Sequence, residues 1–301
     1  MLTGIHFLLT YICNYECDHC FLHCGPRAEG TFTLARLREA LEQIKDLGGI
    51  KSVYFEGGEP FLFYPLLVEG VRLAKAQGLN VGIVTNSYWA TAGEDARLWL
   101  DRLNELGLSD LSVSDDGFHS ADESASPAKI ACREAKALGM PCSSICIEQP
   151  QKAAESLRKG LPVVGGEAQV RGRAADKLAE GLPRHSAACF THCPHEDLRR
   201  PKRVHVDPFG YVHLCQGVVI GCMWEKPLKV LIEEYDPEAH PVSGPLLRGG
   251  PQGLAREYKV PLDEAGYVDA CHLCYLTRKA LVGKMPEYLA PRQVYGLEAG
   301  G

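Results

Sequence analysis

Three cysteines in one short loop constrain this chain more than any other feature of its sequence. Cys13, Cys17 and Cys20 follow an apolar run, residues 5–9, with C-x3-C-x2-C spacing. A loop of this length can aim three sulfur atoms at one point and leave a fourth coordination position open. Soft thiolates favour iron–sulfur clusters and zinc, but structural zinc sites need four closed ligands, usually from two C-x2-C pairs. The spacing therefore predicts an iron–sulfur cluster with three protein ligands and one iron open to a small molecule.

The composition is that of an ordinary globular protein. The chain has 301 residues, a length sufficient for one large α/β barrel with a small appendage or for two domains. Its residues are 46% hydrophobic and 23% charged, which is typical of a globular protein with a buried core. The formal net charge of −6 argues against a general nucleic-acid binder. No apolar stretch approaches the roughly 20 residues of a membrane span, and the start lacks a secretory signal. We therefore expect a cytoplasmic protein whose 13 cysteines are metal ligands or reduced thiols rather than disulfides.

Short apolar strands alternate with amphipathic helices over about the first 180 residues. The predicted strands are 5–10, 52–55, 80–85, 111–114 and 141–147, with a sixth in 161–170. The predicted helices are 34–47, 66–77, 95–106 and 122–138. This order implies parallel strands with crossover helices. Six units indicate an α/β fold of the partial (β/α)6 TIM-like barrel type, with functional residues at the C-terminal ends of the strands.

Glycine-rich and polar motifs follow these strands. After the second strand comes Gly57-Gly58-Glu59-Pro60, in which paired glycines allow close backbone approach and Glu59 offers a carboxylate to an amino group. The third strand leads into Asn86, and Ser112 and Ser114 share one face of the fourth strand. After it, Asp115, Asp116 and His119 are candidates to face a substrate, and a helix-capping or loop role is an equal alternative for Asp116.

With His19 before its third cysteine, the loop resembles the signature of the radical S-adenosylmethionine (radical SAM) enzymes. The resemblance implies that Cys13, Cys17 and Cys20 form the catalytic centre by holding a 4Fe–4S cluster that binds S-adenosylmethionine. It implies that Gly57-Gly58-Glu59-Pro60 binds the methionyl amine. The further cofactor contacts that it implies are Asn86, Ser112, Ser114 and, in a Gly-Arg-Ala stretch, Arg173.

The same resemblance implies a reaction. S-adenosylmethionine would be cleaved reductively to a 5′-deoxyadenosyl radical, which abstracts a hydrogen atom from the substrate. A reductant such as ferredoxin or flavodoxin would then be a partner. The chemistry of the step belongs to the cofactor, while the protein positions the substrate and excludes water.

The second half of the chain has a different cysteine pattern. Residues 203–215 predict a β-hairpin about an Asp-Pro-x-Gly turn that ends at Cys215. Cys271 and Cys274 form a C-x2-C pair that opens a helix through residue 281. A hairpin thiol and a distant C-x2-C pair can gather sulfur atoms from separated segments.

This arrangement also resembles, in part, the SPASM and twitch modules of radical SAM proteins. The resemblance implies one auxiliary 4Fe–4S cluster held by Cys215, Cys271, Cys274 and a fourth ligand, for which Cys193 is favoured over Cys222. Six cysteines in this half, with Cys189 as the sixth, also leave room for a second site. A structural zinc ion is the alternative. We expect the barrel to span 1–182 and this small iron–sulfur module, a hairpin with short helices, to span 183–301.

Other features receive simpler interpretations. Cys132, Cys142 and Cys146 are expected to pack as small hydrophobes, and a structural or incidental role is favoured over a substrate-facing one for Cys24. Residues 236–253 are rich in proline and glycine and are expected to be irregular, after a short helix near residue 227.

The substrate is predicted only as a class. A ribosomal peptide is the first expectation, although the cluster loop begins at residue 13, so no N-terminal leader-peptide-binding domain is expected. A small-molecule or cofactor-biosynthetic oxidoreductase is the rival interpretation. A non-catalytic iron–sulfur or zinc protein is a third, and the glycine-rich motif after the second strand argues against it because an electron carrier needs no amine-binding loop.

Overall fold

The computed structural model describes residues 2–120, 125–150 and 166–297. The strands in these ranges are β1 (Gly4–Thr10), β2 (Ser52–Gly57), β3 (Asn80–Thr85), β4 (Asp110–Ser114), β5 (Cys142–Ile145), β6 (Ile147–Glu148), β7 (Gly166–Glu167), β8 (Arg203–Val206), β9 (Tyr211–Cys215) and β10 (Val218–Cys222). The α-helices are α1 (Leu34–Leu47), α2 (Tyr64–Ala76), α3 (Gly93–Glu105), α4 (Pro127–Ala137), α5 (Arg173–Lys177), α6 (Leu228–Glu234), α7 (Ser243–Glu257) and α8 (Ala270–Leu281). No helix in the described ranges is long and apolar enough to cross a membrane.

Eight of the described strands form one sheet in the order β10-β9-β8-β1-β2-β3-β4-β5. Strands β1 to β5 are parallel neighbours, and β8 lies parallel to β1 on its other side. Strands β9 and β10 continue the sheet antiparallel. The predicted α/β fold, a mostly parallel partial barrel followed by an antiparallel hairpin region, is therefore confirmed. The hairpin extends the barrel's own sheet through the β8–β1 pairing.

The predicted fifth and sixth strands differ in detail from what is observed. Residues 141–147 are divided, since β5 ends at Ile145 in the large sheet while β6 pairs with β7 in a separate two-stranded sheet. Within the predicted sixth strand, residues 161–165 lie outside the described residues, and β7 is the described remainder.

Side-chain alternation gives the large sheet one apolar and one polar face. Ile5, Phe7 and Leu9 of β1 are fully buried in the main hydrophobic cluster with the helices. Burying a side chain of this size stabilises the fold by about 1.5–3 kcal/mol. His6 lies on the opposite, inner face, and its neighbours across β2 and β8 are Tyr54 and His205. The inner wall of the partial barrel is therefore lined by polar groups at this level.

Helix α1 shows why the pattern predicted its ends correctly. The Thr33 side chain caps the first turn by accepting a hydrogen bond from the Arg36 N–H at 3.2 Å. At the other end Gly48 has φ +70°, and its N–H bonds to the Ile44 carbonyl. Glycine adopts this left-handed backbone without strain, so the helix stops there.

The expectation of an irregular segment over 236–253 is wrong, because α7 begins at Ser243. This element is two helical pieces joined by a bend at Gly249–Gly250, where the backbone leaves helical angles. Pro245 lies in the first turn of one piece and Pro251 directly after the bend, positions at which a missing N–H costs little. Gly250 has φ +61°, and a Cβ there would lie 2.2 Å from the His192 nitrogen. Proline and glycine thus shape helices here rather than exclude them.

Candidate active site

The cysteine loop rests on the backbone at the end of β2. Gly58 N–H donates to the Thr10 carbonyl at 2.7 Å, and Glu59 N–H donates to the Ile12 carbonyl at 2.9 Å. A Cβ on Gly58 would lie 2.1 Å from the Ile12 oxygen, and Gly57 has φ +122°. Only glycine permits this approach. The paired glycines therefore seat the residues that lead into Cys13.

The three loop thiols have distinct environments. Cys13 is buried, with its Sγ 3.4 Å from the Tyr15 N–H nitrogen and 3.7 Å from Asn86 Nδ2. Burial raises the pKa of Cys13 to about 12, and the nearby Cys17 and Cys20 thiols add to this effect. A raised pKa favours the protonated thiol, but a bound metal reverses this, because coordination deprotonates a thiol.

The Cys20 thiol has a lowered pKa. A hydrogen bond from the Cys24 thiol is the main cause that lowers the pKa of Cys20 to about 6, and Arg173 contributes to the lowering. The same hydrogen bond raises the pKa of Cys24 well above its usual value, as does burial. The thiolate is the form of cysteine that binds metal. Cys24, with its raised pKa, is therefore the buried hydrogen-bond partner of Cys20.

Glu59 is fully buried and its carboxylate is occupied by the protein itself. Oε1 accepts hydrogen bonds from Phe61 N–H and the Thr85 hydroxyl, both at 2.9 Å, and Oε2 accepts one from Asn86 N–H at 2.7 Å. Burial raises the pKa of Glu59 to about 7, against the opposing effect of these hydrogen bonds. This carboxylate, the predicted partner of an amino group, ties the end of β3 to the turn after β2. Pro60 opens the short 3-10 helix that follows.

The substitution Glu59→Gln is expected to lower the free energy of unfolding of the cluster-free protein by about 1–3 kcal/mol, because the new amide N–H group would face a buried donor. A urea titration followed by circular dichroism measures the change. Glu42→Gln is the matched control, since Glu42 and its partner Lys45 are both 65% exposed and such pairs contribute little. Equal unfolding midpoints for Glu59→Gln and the unsubstituted protein would contradict the positioning role.

The predicted cofactor contacts after β3 and on β4 have different surroundings. Asn86 lies beside the cysteine loop, where its Nδ2 donates to Asn14 Oδ1 at 2.9 Å. The Ser112 hydroxyl is used within the sheet, donating to Asp110 Oδ2 at 2.8 Å and lying 3.0 Å from Ser143 Oγ. Ser114 ends β4 and is half-buried.

Arg173 braces the cysteine loop from the other side. Its guanidinium donates to the carbonyl oxygens of Cys17 and Cys24, each at 2.7 Å. The preceding Gly172 has φ +60°, and a Cβ there would lie 2.4 Å from the Phe21 Cα. The residue predicted to contact the cofactor thus fixes the loop that carries the thiols.

Asp116 and His119 lie beside the same loop. Asp116 Oδ1 is 2.7 Å from His119 Nδ1, and its Oδ2 accepts from Ile147 N–H at 3.2 Å. Burial lowers the pKa of His119, but hydrogen bonds to Asp116 and to the Cys17 thiol dominate and raise it to about 10. Asp116 therefore organises its own loop and presents His119 to Cys17, a partnership that the sequence did not indicate.

A second group of thiols lies around Arg171. The Arg171 Nη1 is 3.2 Å from Cys215 Sγ. Burial raises the pKa of Cys271 well above its usual value, and the neighbouring Cys215 and Cys193 thiols add to this. Burial likewise raises the pKa of Cys274 to about 11, again with contributions from Cys193 and Cys215. The four cysteines predicted as auxiliary ligands are therefore electrostatic neighbours.

Cys222 lies apart from this group. It pairs with Tyr211 at the start of β9, whereas Cys215 at the end of β9 pairs with Val218. The Cys222 thiol donates to the Phe209 carbonyl at 3.4 Å, beside the hairpin turn. The two candidates for the fourth ligand are thus separated, with Cys193 on the side of Cys215.

Two buried arginines accompany these thiols. Arg171 is 7% and Arg278 is 2% exposed, and within the described ranges neither has a carboxylate at ion-pair distance. Arg278 donates instead to the Gln216 carbonyl at 2.8 Å. A buried guanidinium is costly without a compensating negative charge. Thiolates that hold an anionic cluster would supply the missing negative charge. No spacing in the sequence predicts the role of Arg278.

Comparison with known proteins agrees with this geometry. Residues 7–149 match the family model of the radical SAM superfamily. YydG from Bacillus subtilis (strain 168), a protein named for peptide biosynthesis, is 26% identical over 107 residues, which cover 36% of this chain and 34% of YydG. An S-adenosylmethionine-dependent nucleotide dehydratase from Selenomonas ruminantium is 30% identical over 82 residues, 27% of this chain and 29% of the dehydratase. The chain thus matches about a third of these relatives' lengths.

A solved structure extends the similarity in fold beyond the matched region. The crystal structure of BtrN in complex with AdoMet and 2-DOIA aligns with a TM-score of 0.51 and 18% identity over 77% of this chain and 82% of that one. At this identity the likeness concerns the fold alone. The family match begins within β1 and covers β2 to β5 together with the cysteine loop and the glycine motif. Over residues 7–149, a little under half of its length, the chain therefore matches the radical SAM superfamily of enzymes.

Proposed function

We propose that this protein cleaves S-adenosylmethionine reductively at a 4Fe–4S cluster held by Cys13, Cys17 and Cys20, and uses the resulting 5′-deoxyadenosyl radical to take a hydrogen atom from its substrate. The observation that carries this proposal is the cysteine loop seated on Gly58, where the ends of β1 and β2 meet. When bound, the cluster supplies the electron for the cleavage. Ferredoxin or flavodoxin is the proposed reductant.

The protein's own residues have positioning roles in this proposal. The backbone at Gly57-Gly58, the Asn86 amide and the Ser114 hydroxyl are the proposed contacts for S-adenosylmethionine. Glu59, Ser112 and Arg173 support those contacts indirectly, because their polar atoms are engaged within the protein. Pro60 is buried at the start of the short 3-10 helix that follows this turn.

We also propose one auxiliary 4Fe–4S cluster with Cys193, Cys215, Cys271 and Cys274 as ligands, in a module over 183–301 that follows the barrel over 1–182. The uncompensated Arg171 and Arg278 support an anionic group at this site. Zinc bonds of 2.3 Å would bring four thiolates to about 3.8 Å from one another. In the described part of the chain, the sulfur atoms of these four thiols do not all lie within 4.8 Å of one another. This spacing favours a cluster over zinc, because the ligands of a cluster bind separate irons.

The substrate that we favour is a ribosomal peptide, with a small molecule or cofactor precursor as the alternative. The name of YydG supports the first. The nucleotide dehydratase, which shares a segment of comparable length, supports the second.

The test is anaerobic reconstitution with iron and sulfide, followed by dithionite and S-adenosylmethionine. We expect 5′-deoxyadenosine, quantified by liquid chromatography and mass spectrometry, and none without dithionite. Protein that holds its full iron content yet forms no 5′-deoxyadenosine contradicts the proposal. Adding a deuterated peptide encoded beside this gene, or a deuterated nucleotide, distinguishes the substrate classes, because the true substrate transfers deuterium into 5′-deoxyadenosine.

A further inference from the structure

The inner wall of the barrel carries a group of side chains that the proposed chemistry does not use. His6, Glu56 and His205 lie on the adjacent strands β1, β2 and β8. His6 Nδ1 is 3.1 Å from Glu56 Oε2, and His205 Nε2 is 3.1 Å from Glu56 Oε1. Among the residues that the structure describes, these three form the group of His, Cys, Asp or Glu side chains whose ligand atoms all lie within 4.8 Å of one another.

From this geometry we propose that His6, Glu56 and His205 bind a divalent first-row transition metal ion. Two imidazoles and one carboxylate are the donors of three-ligand zinc sites and of non-haem iron sites that keep open coordination positions. Ligand bonds of 2.0–2.1 Å in tetrahedral geometry place neighbouring donor atoms about 3.3 Å apart. The two observed His–Glu separations of 3.1 Å are close to this value, and the two imidazole nitrogens lie within 4.8 Å of each other.

The charges of the group favour a cation. The largely buried Glu56 carboxylate supplies the negative charge of the group, and its two oxygen atoms face the two imidazoles. Among the described residues Glu56 has no lysine or arginine partner. A largely buried carboxylate without a cationic partner is costly, and a bound ion would compensate it.

The ligands are held rigidly before any ion binds. The His6 ring stacks on Tyr54 with centroids 4.9 Å apart, and it meets the His205 ring edge-on at 5.1 Å. All three ligands come from strands paired in one sheet, which fixes donor positions better than loops do. Glu56 directly precedes Gly57, so the site adjoins the proposed cofactor contacts. An ion there would serve as a Lewis acid toward an oxygen or nitrogen of a substrate in the barrel.

The experiment uses reconstituted protein with its full iron content, so that the cysteine sites are filled. One equivalent of Zn²⁺ is added, unbound metal is removed by gel filtration, and retained zinc is measured by mass spectrometry. We expect about one zinc per chain, and zinc-edge X-ray absorption should show only nitrogen and oxygen at 2.0–2.1 Å, without sulfur at 2.3 Å. Glu56→Gln should weaken zinc binding at least about tenfold.

Tyr54→Phe is the control, because it keeps the ring that stacks on His6 but removes no ligand; its zinc content should match the unsubstituted protein. If Glu56→Gln loses iron or helical circular dichroism, His6→Asn replaces it. Sulfur in the zinc shell, equal zinc binding by Glu56→Gln and the unsubstituted protein, or no retained zinc overturns the proposal and leaves a hydrogen-bonded His–Glu–His network. None of these readouts depends on S-adenosylmethionine cleavage, so the two proposals fail separately.

Discussion

Replacing Cys13, Cys17 and Cys20 together with alanine is expected to reduce 5′-deoxyadenosine formation below detection while leaving about four irons per chain, against about eight in the unsubstituted protein. The loop thiols are the proposed ligands of the first cluster, whereas the auxiliary thiols lie around Arg171 and should still assemble theirs. Iron and sulfide analysis gives the cluster count. Product analysis after dithionite reduction gives the activity.

Cys132→Ala is the matched control for this triple substitution. Cys132 is a half-buried thiol of α4, and its thiol neighbours that of Cys142, outside both proposed ligand groups. This variant should keep about eight irons and full cleavage activity. Cleavage by the triple variant would contradict the assignment of the loop as the catalytic centre. Only zinc, with no iron, in the triple variant would contradict the auxiliary cluster.

Much of the fold could be predicted because its signals are local. Apolar strands with two-residue alternation and helices with an apolar face are visible within short windows. Parallel strands also place their C-terminal ends together, so the order of the elements predicts that the cysteine loop and the glycine motif meet at one edge of the sheet. The Gly58–Ile12 approach shows this directly, since residues distant in sequence meet where two strands end.

The pairing of β8 with β1 could not be predicted in the same way, because no local pattern specifies which edge strand a distant hairpin joins. The structure shows the consequence at Asp207, whose Oδ2 accepts from the Tyr11 hydroxyl at 3.0 Å and lies 3.3 Å from His213 Nε2. The hairpin therefore supports the start of the cysteine loop. That link ties the second half of the chain to the cysteine loop.

Side-chain roles were the least predictable part of the site. The motifs predict Glu59 and Arg173 as site residues, but a sequence does not state which atoms a polar group faces. Three donors converge on the Glu59 carboxylate, and two loop carbonyls accept from Arg173. A residue that positions a binding loop and one that touches the ligand leave the same motif in the sequence.

The second large effect is expected from Cys271→Ala combined with Cys274→Ala. Loss of two of four ligands should remove the auxiliary cluster, so that iron falls from about eight to about four per chain. The catalytic loop keeps its supports from Gly58 and Arg173. Cleavage of S-adenosylmethionine should therefore persist, while conversion of the true substrate is lost if the auxiliary cluster exchanges electrons with it or binds it. Iron analysis and separate assays of the two products measure this.

Single substitutions of the two candidate fourth ligands then test the geometry directly. Cys193→Ala should lose about four irons, whereas Cys222→Ala should keep about eight, because the Cys222 thiol faces the Phe209 carbonyl at the far end of the hairpin. The reverse result would mean that the hairpin rearranges when the cluster is inserted. In that case only three of the four ligands, Cys215, Cys271 and Cys274, would lie around Arg171, whose Nη1 is 3.2 Å from Cys215 Sγ. Equal iron loss in both variants would indicate a second auxiliary site that uses Cys222.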